Sequence, residues 1–130
     1  MNTLEVNKLK YSRKQSIINA FAGFKVIWVS EINFRIHIII SLLVLCAGFI
    51  FKLNTIEWVG ILLCIGLVLG AEIFNTAIEH LCDLTSKEIK PEIKAIKDIS
   101  AFGVLFLAMI SSIVGIIIFL PKIIYIFKSI

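Results

Sequence analysis

Apolar and polar positions along the chain fall into four blocks. From Lys14 to Ser30 the apolar residues Ile17, Ile18, Phe21, Phe24, Ile27 and Trp28 recur at helical spacing, while Lys14, Gln15, Lys25 and Ser30 fall elsewhere. That pattern predicts an amphipathic helix over 14–30 lying at the membrane interface. Three apolar runs follow. The first, over 34–51, contains "IHIIISLLVLCAGFIF", interrupted only by His37. The second runs over 56–84, and the third, over 97–121, contains the uncharged "ISAFGVLFLAMISSIVGIIIFL". The third is long enough to cross a hydrocarbon core of about 30 Å. The predicted fold class is therefore all-α integral membrane, with an N-terminal surface helix and three transmembrane helices in a single domain over 1–130. Residues 1–12 read as a loose polar start, and Pro91 in "SKEIKPEIK" as the break between the second and third spans.

The second run carries an anomaly. After the uncharged "WVGILLCIGLVL" comes "GAEIFNTAIEHLCD", and if the helix continues, Glu72, Asn75, Thr76, Glu79 and Asp83 line up along it. At about 100° per residue they share a sector of roughly 100°, a polar stripe on an apolar helix. Taking Trp58 as an interfacial anchor, Glu72 lies about 21 Å along the helix, inside the slab near its far edge, and Glu79 about 10 Å further, at the water boundary. An ionised carboxylate in a bilayer costs roughly 2.5–3.5 kcal/mol or more, so Glu72 needs a partner, a proton or a function. A desolvated carboxylate is what a general base working near neutrality uses, and Glu72 is the candidate catalytic residue.

Composition and charge sharpen this picture. The chain is 59% hydrophobic with a mean hydropathy of +1.01, beyond the globular range. Ten of the thirteen basic residues lie in 1–35 or in the 85–98 loop, which makes that side, with the N-terminus and the site, cytoplasmic. The net charge of +4 thus reports topology, and no basic soluble surface suited to nucleic acid is present. Residues 1–35 lack the early apolar core of a cleaved signal peptide. Cys46, Cys64 and Cys82 are spaced too widely for a zinc knuckle and read as buried small hydrophobes.

Other polar residues can meet the stripe. "SEINFRIH" puts Glu31 at the cytoplasmic mouth of the first span, and "AIKDIS" puts Lys97 and Asp98 at that of the third. Two carboxylates, Glu31 and Glu79, suit Mg²⁺, which binds through one or two carboxylates plus substrate phosphates. A lysine suits phosphate as a point charge. Together these parts suit phosphoryl transfer from a nucleotide. Taken singly, Glu31 reads equally well as an ion-pair partner of Arg35, and Lys97 with Asp98 as a charged helix start. His37 and His80 read as interfacial residues rather than catalysts. No G-x-x-x-x-G-K-[ST] loop occurs, so any kinase chemistry must be built from helices. The rival is a small proton-coupled exporter, which also uses an intramembrane glutamate but usually needs four spans.

"AEIFNTAIEHLCD" resembles the signature of the prokaryotic diacylglycerol kinase and undecaprenol kinase family, E-x-x-N-[ST]-A-[IV]-E-x-x-x-D, filled here by Glu72, Asn75, Thr76, Ala77, Ile78, Glu79 and Asp83. "SEINFRIH" and "KAIKD" stand at the right distances, so the resemblance covers roughly residues 14–122. It implies a homotrimeric kinase of the bacterial inner membrane, with sites shared between subunits, that phosphorylates a lipid alcohol with ATP. By the same resemblance Glu72 matches the catalytic base, and Glu31 and Glu79 the metal and ATP ligands. Lys97 and Asp98 match the nucleotide-contacting pair, Glu88, Ile89 and Lys90 a nucleotide-loop segment, and Asn75 and Asp83 supporting positions. Lys90 stands where members often have histidine, and Asn19 where some place an aromatic against the nucleotide. "SEINFRIH" and "IIIFLPKI" look more like the undecaprenol kinase branch than the diacylglycerol branch.

Overall fold

The computed structural model describes residues 13–85 and 90–128. They form four helices: α1 (Arg13–Ser30), α2 (Ile32–Ile50), α3 (Thr55–Thr85) and α4 (Pro91–Lys128). Three of these, α2, α3 and α4, are long and apolar enough to cross a membrane. The chain divides into two compact units, with the boundary between Ile32 and Asn33.

In the first unit α1 runs where the spacing predicts it, but its two faces are less distinct than expected. Ile17, Ile18, Phe21, Phe24 and Trp28 are exposed and Ile27 is buried, yet Val26 and Val29 are exposed too. Val26 lies about 180° round the helix from Ile17, and Lys25 falls between Ile18 and Phe21. Phe24 and Trp28, one turn apart, stack with ring centroids 6.0 Å apart.

The second unit is built on an antiparallel hairpin whose turn is specified residue by residue. At the end of α2, Leu53 N–H donates to Gly48 O at 3.0 Å and Lys52 N–H to Phe49 O at 3.2 Å. This is the Schellman pattern, and it needs a left-handed residue at the position that Lys52 fills with φ 50°. Two residues on, Asn54 starts α3 with a reciprocal capping box. The Glu57 N–H donates to Asn54 Oδ1 at 3.0 Å, and the Asn54 N–H donates to Glu57 Oε2 at 2.8 Å. Glu57 also pairs with Lys122 of α4 at 3.0 Å, and Phe51 meets Phe119 edge-on at 5.8 Å, so all three helices are tied together at this end.

α3 packs along α4. The buried residues of α3 are Ile61, Val68, Glu72, Thr76 and Cys82, so the polar stripe faces the protein where it reaches Glu72. At 31 residues α3 is about 46 Å long, and at 38 residues α4 is about 57 Å, so both outrun a hydrocarbon core of about 30 Å. α4 starts at Pro91, six residues before the third apolar run, because a proline that breaks one helix fits the first turn of the next, where its missing N–H is not needed. Lys94 N–H donates to Lys90 O at 3.0 Å, closing that first turn. Of the cysteines, Cys82 is buried as expected, Cys64 is half-buried, and Cys46 is exposed.

Candidate active site

Glu72 is 3% exposed, the most buried polar residue described. It stands on the inward stripe of α3, and Thr76, one turn on, sends its Oγ1 back to the Glu72 carbonyl at 3.0 Å. That bond satisfies a buried hydroxyl within the helix and leaves the Glu72 carboxylate to other partners. One is His37 of α2, whose Nε2 lies 3.3 Å from Glu72 Oε1. The expectation that His37 is merely interfacial is therefore corrected: the ring abuts the buried carboxylate. The α2–α3 hairpin sets this contact, since it pairs residues on opposite sides of the turn. His80 is exposed on α3. Beyond His37 the three helices leave a cleft of 180 Å³, lined by His37, Ser41, Cys64, Val68, Ser111 and Ser112 among others.

Towards the ends of α3 and α4 away from the hairpin, polar side chains form a ladder across the two helices. Asn75 Nδ2 donates to Glu79 Oε1 at 2.8 Å. Ser100 Oγ lies 2.6 Å from Asn75 Oδ1 and 3.0 Å from Lys97 O. Its single proton serves one acceptor at a time. One step further, Lys97 Nζ pairs with Asp83 Oδ1 at 2.5 Å. Glu79, Asn75, Asp83 and Lys97 are thus brought together. Asp98 stands apart: it is exposed and pairs with Lys94 at 2.5 Å, because adjacent residues on a helix point about 100° apart.

Of the remaining candidates, Glu31 and Asn19 belong to the first compact unit and Lys90 to the second. Glu31, which follows α1 in the chain, is half-buried, and its N–H donates to Ile27 O at 2.9 Å. Asn19 is exposed on α1, its Oδ1 accepting from Gln15 Nε2 at 3.0 Å. Lys90 is exposed just before α4, while Glu88 and Ile89 lie outside the described residues. Sequence reasoning missed the Ser100 contact with Asn75 and the His37 contact with Glu72. Ser100 carried a signal: it lies three residues after Lys97, on the same face of α4. Among the described residues no group of three or more His, Cys, Asp or Glu side chains is placed to hold a metal ion.

A buried carboxylate below a two-helix polar ladder, in a chain with three membrane-long helices, defines a small helical membrane protein with a polar centre. Its sequence matches the family model of prokaryotic diacylglycerol kinase over residues 18–119. It is 42% identical over 108 residues to the undecaprenol kinase of Bacillus subtilis (strain 168), covering 83% of this chain and 88% of that protein. It is 35% identical over 103 residues to the diacylglycerol kinase of Synechocystis sp. (strain ATCC 27184 / PCC 6803 / Kazusa), covering 78% of this chain and 59% of that protein. The chain belongs to the prokaryotic diacylglycerol kinase family. It is a membrane lipid kinase with ATP as co-substrate, and nothing supports the exporter alternative.

Proposed function

We propose that the chain transfers the γ-phosphoryl group of Mg·ATP to the primary hydroxyl of undecaprenol, with Glu72 as general base. The observation that carries the base assignment is the burial of Glu72 at 3% exposure, beside a cleft among three membrane-long helices. A lipid hydroxyl reaches that depth while a nucleotide stays in the aqueous layer beside Lys97 and Glu79. The acceptor reading rests on the 42% identity to an undecaprenol kinase over 88% of its length.

Glu72 takes the hydroxyl proton as the oxygen attacks the γ-phosphorus, and the bond from that phosphorus to the β,γ-bridging oxygen breaks, releasing ADP. Lys97, held by Asp83, offers positive charge to the transferring phosphoryl group. Glu79 commits Oε1 to Asn75 and keeps Oε2 for a metal, with Glu31 of a neighbouring subunit as the second carboxylate. The donors fit Mg²⁺, a hard cation that is held by one or two carboxylates plus phosphate oxygens rather than by an all-protein cage. When bound, the ion neutralises charge on the β- and γ-phosphates. Asn19, Glu88, Ile89, Lys90 and Asp98 are assigned to the nucleotide side of the site. The protein works in the bacterial inner membrane as a homotrimer, with the N-terminus and the site facing the cytoplasm. At Gly66 and Gly103 a Cβ would meet nothing within 4 Å, so each presents open small-residue surface of the kind that lets a membrane helix approach closely, which supports association of subunits.

Purified protein assayed with labelled ATP is expected to phosphorylate undecaprenol faster than diacylglycerol. Glu72→Gln is expected to insert, bind ATP and lose about 10²–10⁴ in rate. Near-normal turnover of a folded Glu72→Gln defeats the base assignment, and a preference for diacylglycerol defeats the acceptor assignment.

A further inference from the structure

Two helices meet at the Glu72 carboxylate, and His37 is what α2 brings. Its Nε2 stands 3.3 Å from Glu72 Oε1, and the side chains are 23% and 4% exposed respectively. On the His37 side, Ser41, one turn on, directs Oγ to the His37 carbonyl at 2.7 Å, so its hydroxyl is satisfied within the helix. Both residues belong to the same compact unit, and the hairpin that sets their register is pinned by the Schellman turn at Lys52 and the capping box at Asn54. An imidazole N–H against a buried carboxylate can fix the orientation of that acid, as outer partners orient reacting or ligating groups elsewhere.

We propose that His37 is a positioning residue for the base, its Nε2–H directed at Glu72 Oε1 so that the carboxylate is held in place for proton transfer from the acceptor hydroxyl. The inference rests on Glu72 being the base. The 3.3 Å separation tightens when the acceptor arrives, as such contacts commonly do in a substrate complex. His37 also lines the cleft beyond the base, so the same ring that aims the carboxylate borders the space beside it. Misplacing a catalytic group by about 1 Å costs on the order of 10² in rate, which sets the scale of the effect.

The test is steady-state kinetics of full-length His37→Ala, His37→Gln, Glu72→Gln and the His37→Ala/Glu72→Gln double variant in lipid nanodiscs. Glutamine places an amide N–H near the former Nε2, so it restores the donor without the ring. His37→Ala is expected to lose about 10- to 100-fold in kcat with the ATP KM unchanged, and His37→Gln to recover most of that loss. The double variant is expected to be no slower than Glu72→Gln alone, because a positioning residue has nothing left to position. Unchanged kcat in His37→Ala, or losses in His37→Ala and Glu72→Gln that multiply in the double variant, overturns the proposal while the base assignment stands. An active Glu72→Gln overturns the base assignment itself. A variant that fails to insert is recognised by loss of ATP binding, and His37→Gln, close in volume to histidine, then carries the test alone: a 10-fold or greater kcat loss there refutes the donor role.

Discussion

Ser100→Ala removes one hydroxyl and tests whether the ladder between α3 and α4 aims Glu79. In the wild type Ser100 Oγ is 2.6 Å from Asn75 Oδ1, and Asn75 Nδ2 holds Glu79 Oε1 at 2.8 Å. Both contacts are part-buried, so water replaces the lost hydroxyl poorly. The second acceptor of Ser100, the Lys97 carbonyl, lies inside α4 and has its own helical partner, so the loss falls on Asn75. A neutral hydrogen bond contributes about 0.5–1.5 kcal/mol net. About 1 kcal/mol of lost Mg·ATP binding corresponds to about fivefold in affinity, since 1.4 kcal/mol is tenfold. Initial rates against ATP at saturating lipid are therefore expected to show KM raised about 3- to 10-fold and kcat nearly unchanged. Ser100→Thr keeps the hydroxyl and is expected to keep the wild-type KM. An unchanged ATP KM in folded Ser100→Ala refutes the link from Ser100 through Asn75 to Glu79. Equal losses in Ala and Thr variants trace the effect to packing instead of the bond.

Two other outcomes are expected. A Cβ at Gly48 would stand 2.7 Å from Trp58 Cη2 and 3.2 Å from Leu53 Cδ1, so Gly48→Ala is expected to destabilise the hairpin by about 1–3 kcal/mol, read as a lowered Tm in detergent; an unchanged Tm shows that the Trp58 ring swings clear at no cost. If Glu31 of one chain completes a site with Glu72 of another, mixing inactive Glu31→Ala and Glu72→Gln subunits restores activity, whereas mixed oligomers that form yet stay inactive refute sharing for this pair.

Particular residues show how far the sequence was legible. The Glu72-to-Asp83 stripe was readable because it lies on one helix, where the 3.6-residue period fixes which side chains share a face. The same period, applied to Lys97 and Asp98, separates them, and the structure pairs them with Asp83 and Lys94 respectively. The start of α4 at Pro91 was hidden because a proline both breaks a helix and suits its first turn. The faces of α1 were overread, since Val26 and Lys25 fall on the wrong sides for a clean stripe.

By itself the sequence determined the membrane class, the three long apolar helices and the polar stripe, because each depends on composition or on periodicity within one segment, and it pointed to the family through the resemblance of "AEIFNTAIEHLCD" to a signature motif. Only the tertiary structure decided that His37 abuts Glu72, that Ser100 reaches Asn75, and that Lys97 is held by Asp83. Those contacts join different helices, and their register is set by the Lys52 turn, the Asn54 cap and the packing of α3 on α4. A shift of one residue is 1.5 Å of rise and about 100° of rotation, enough to separate any of these pairs, and no periodicity within a single helix encodes that offset.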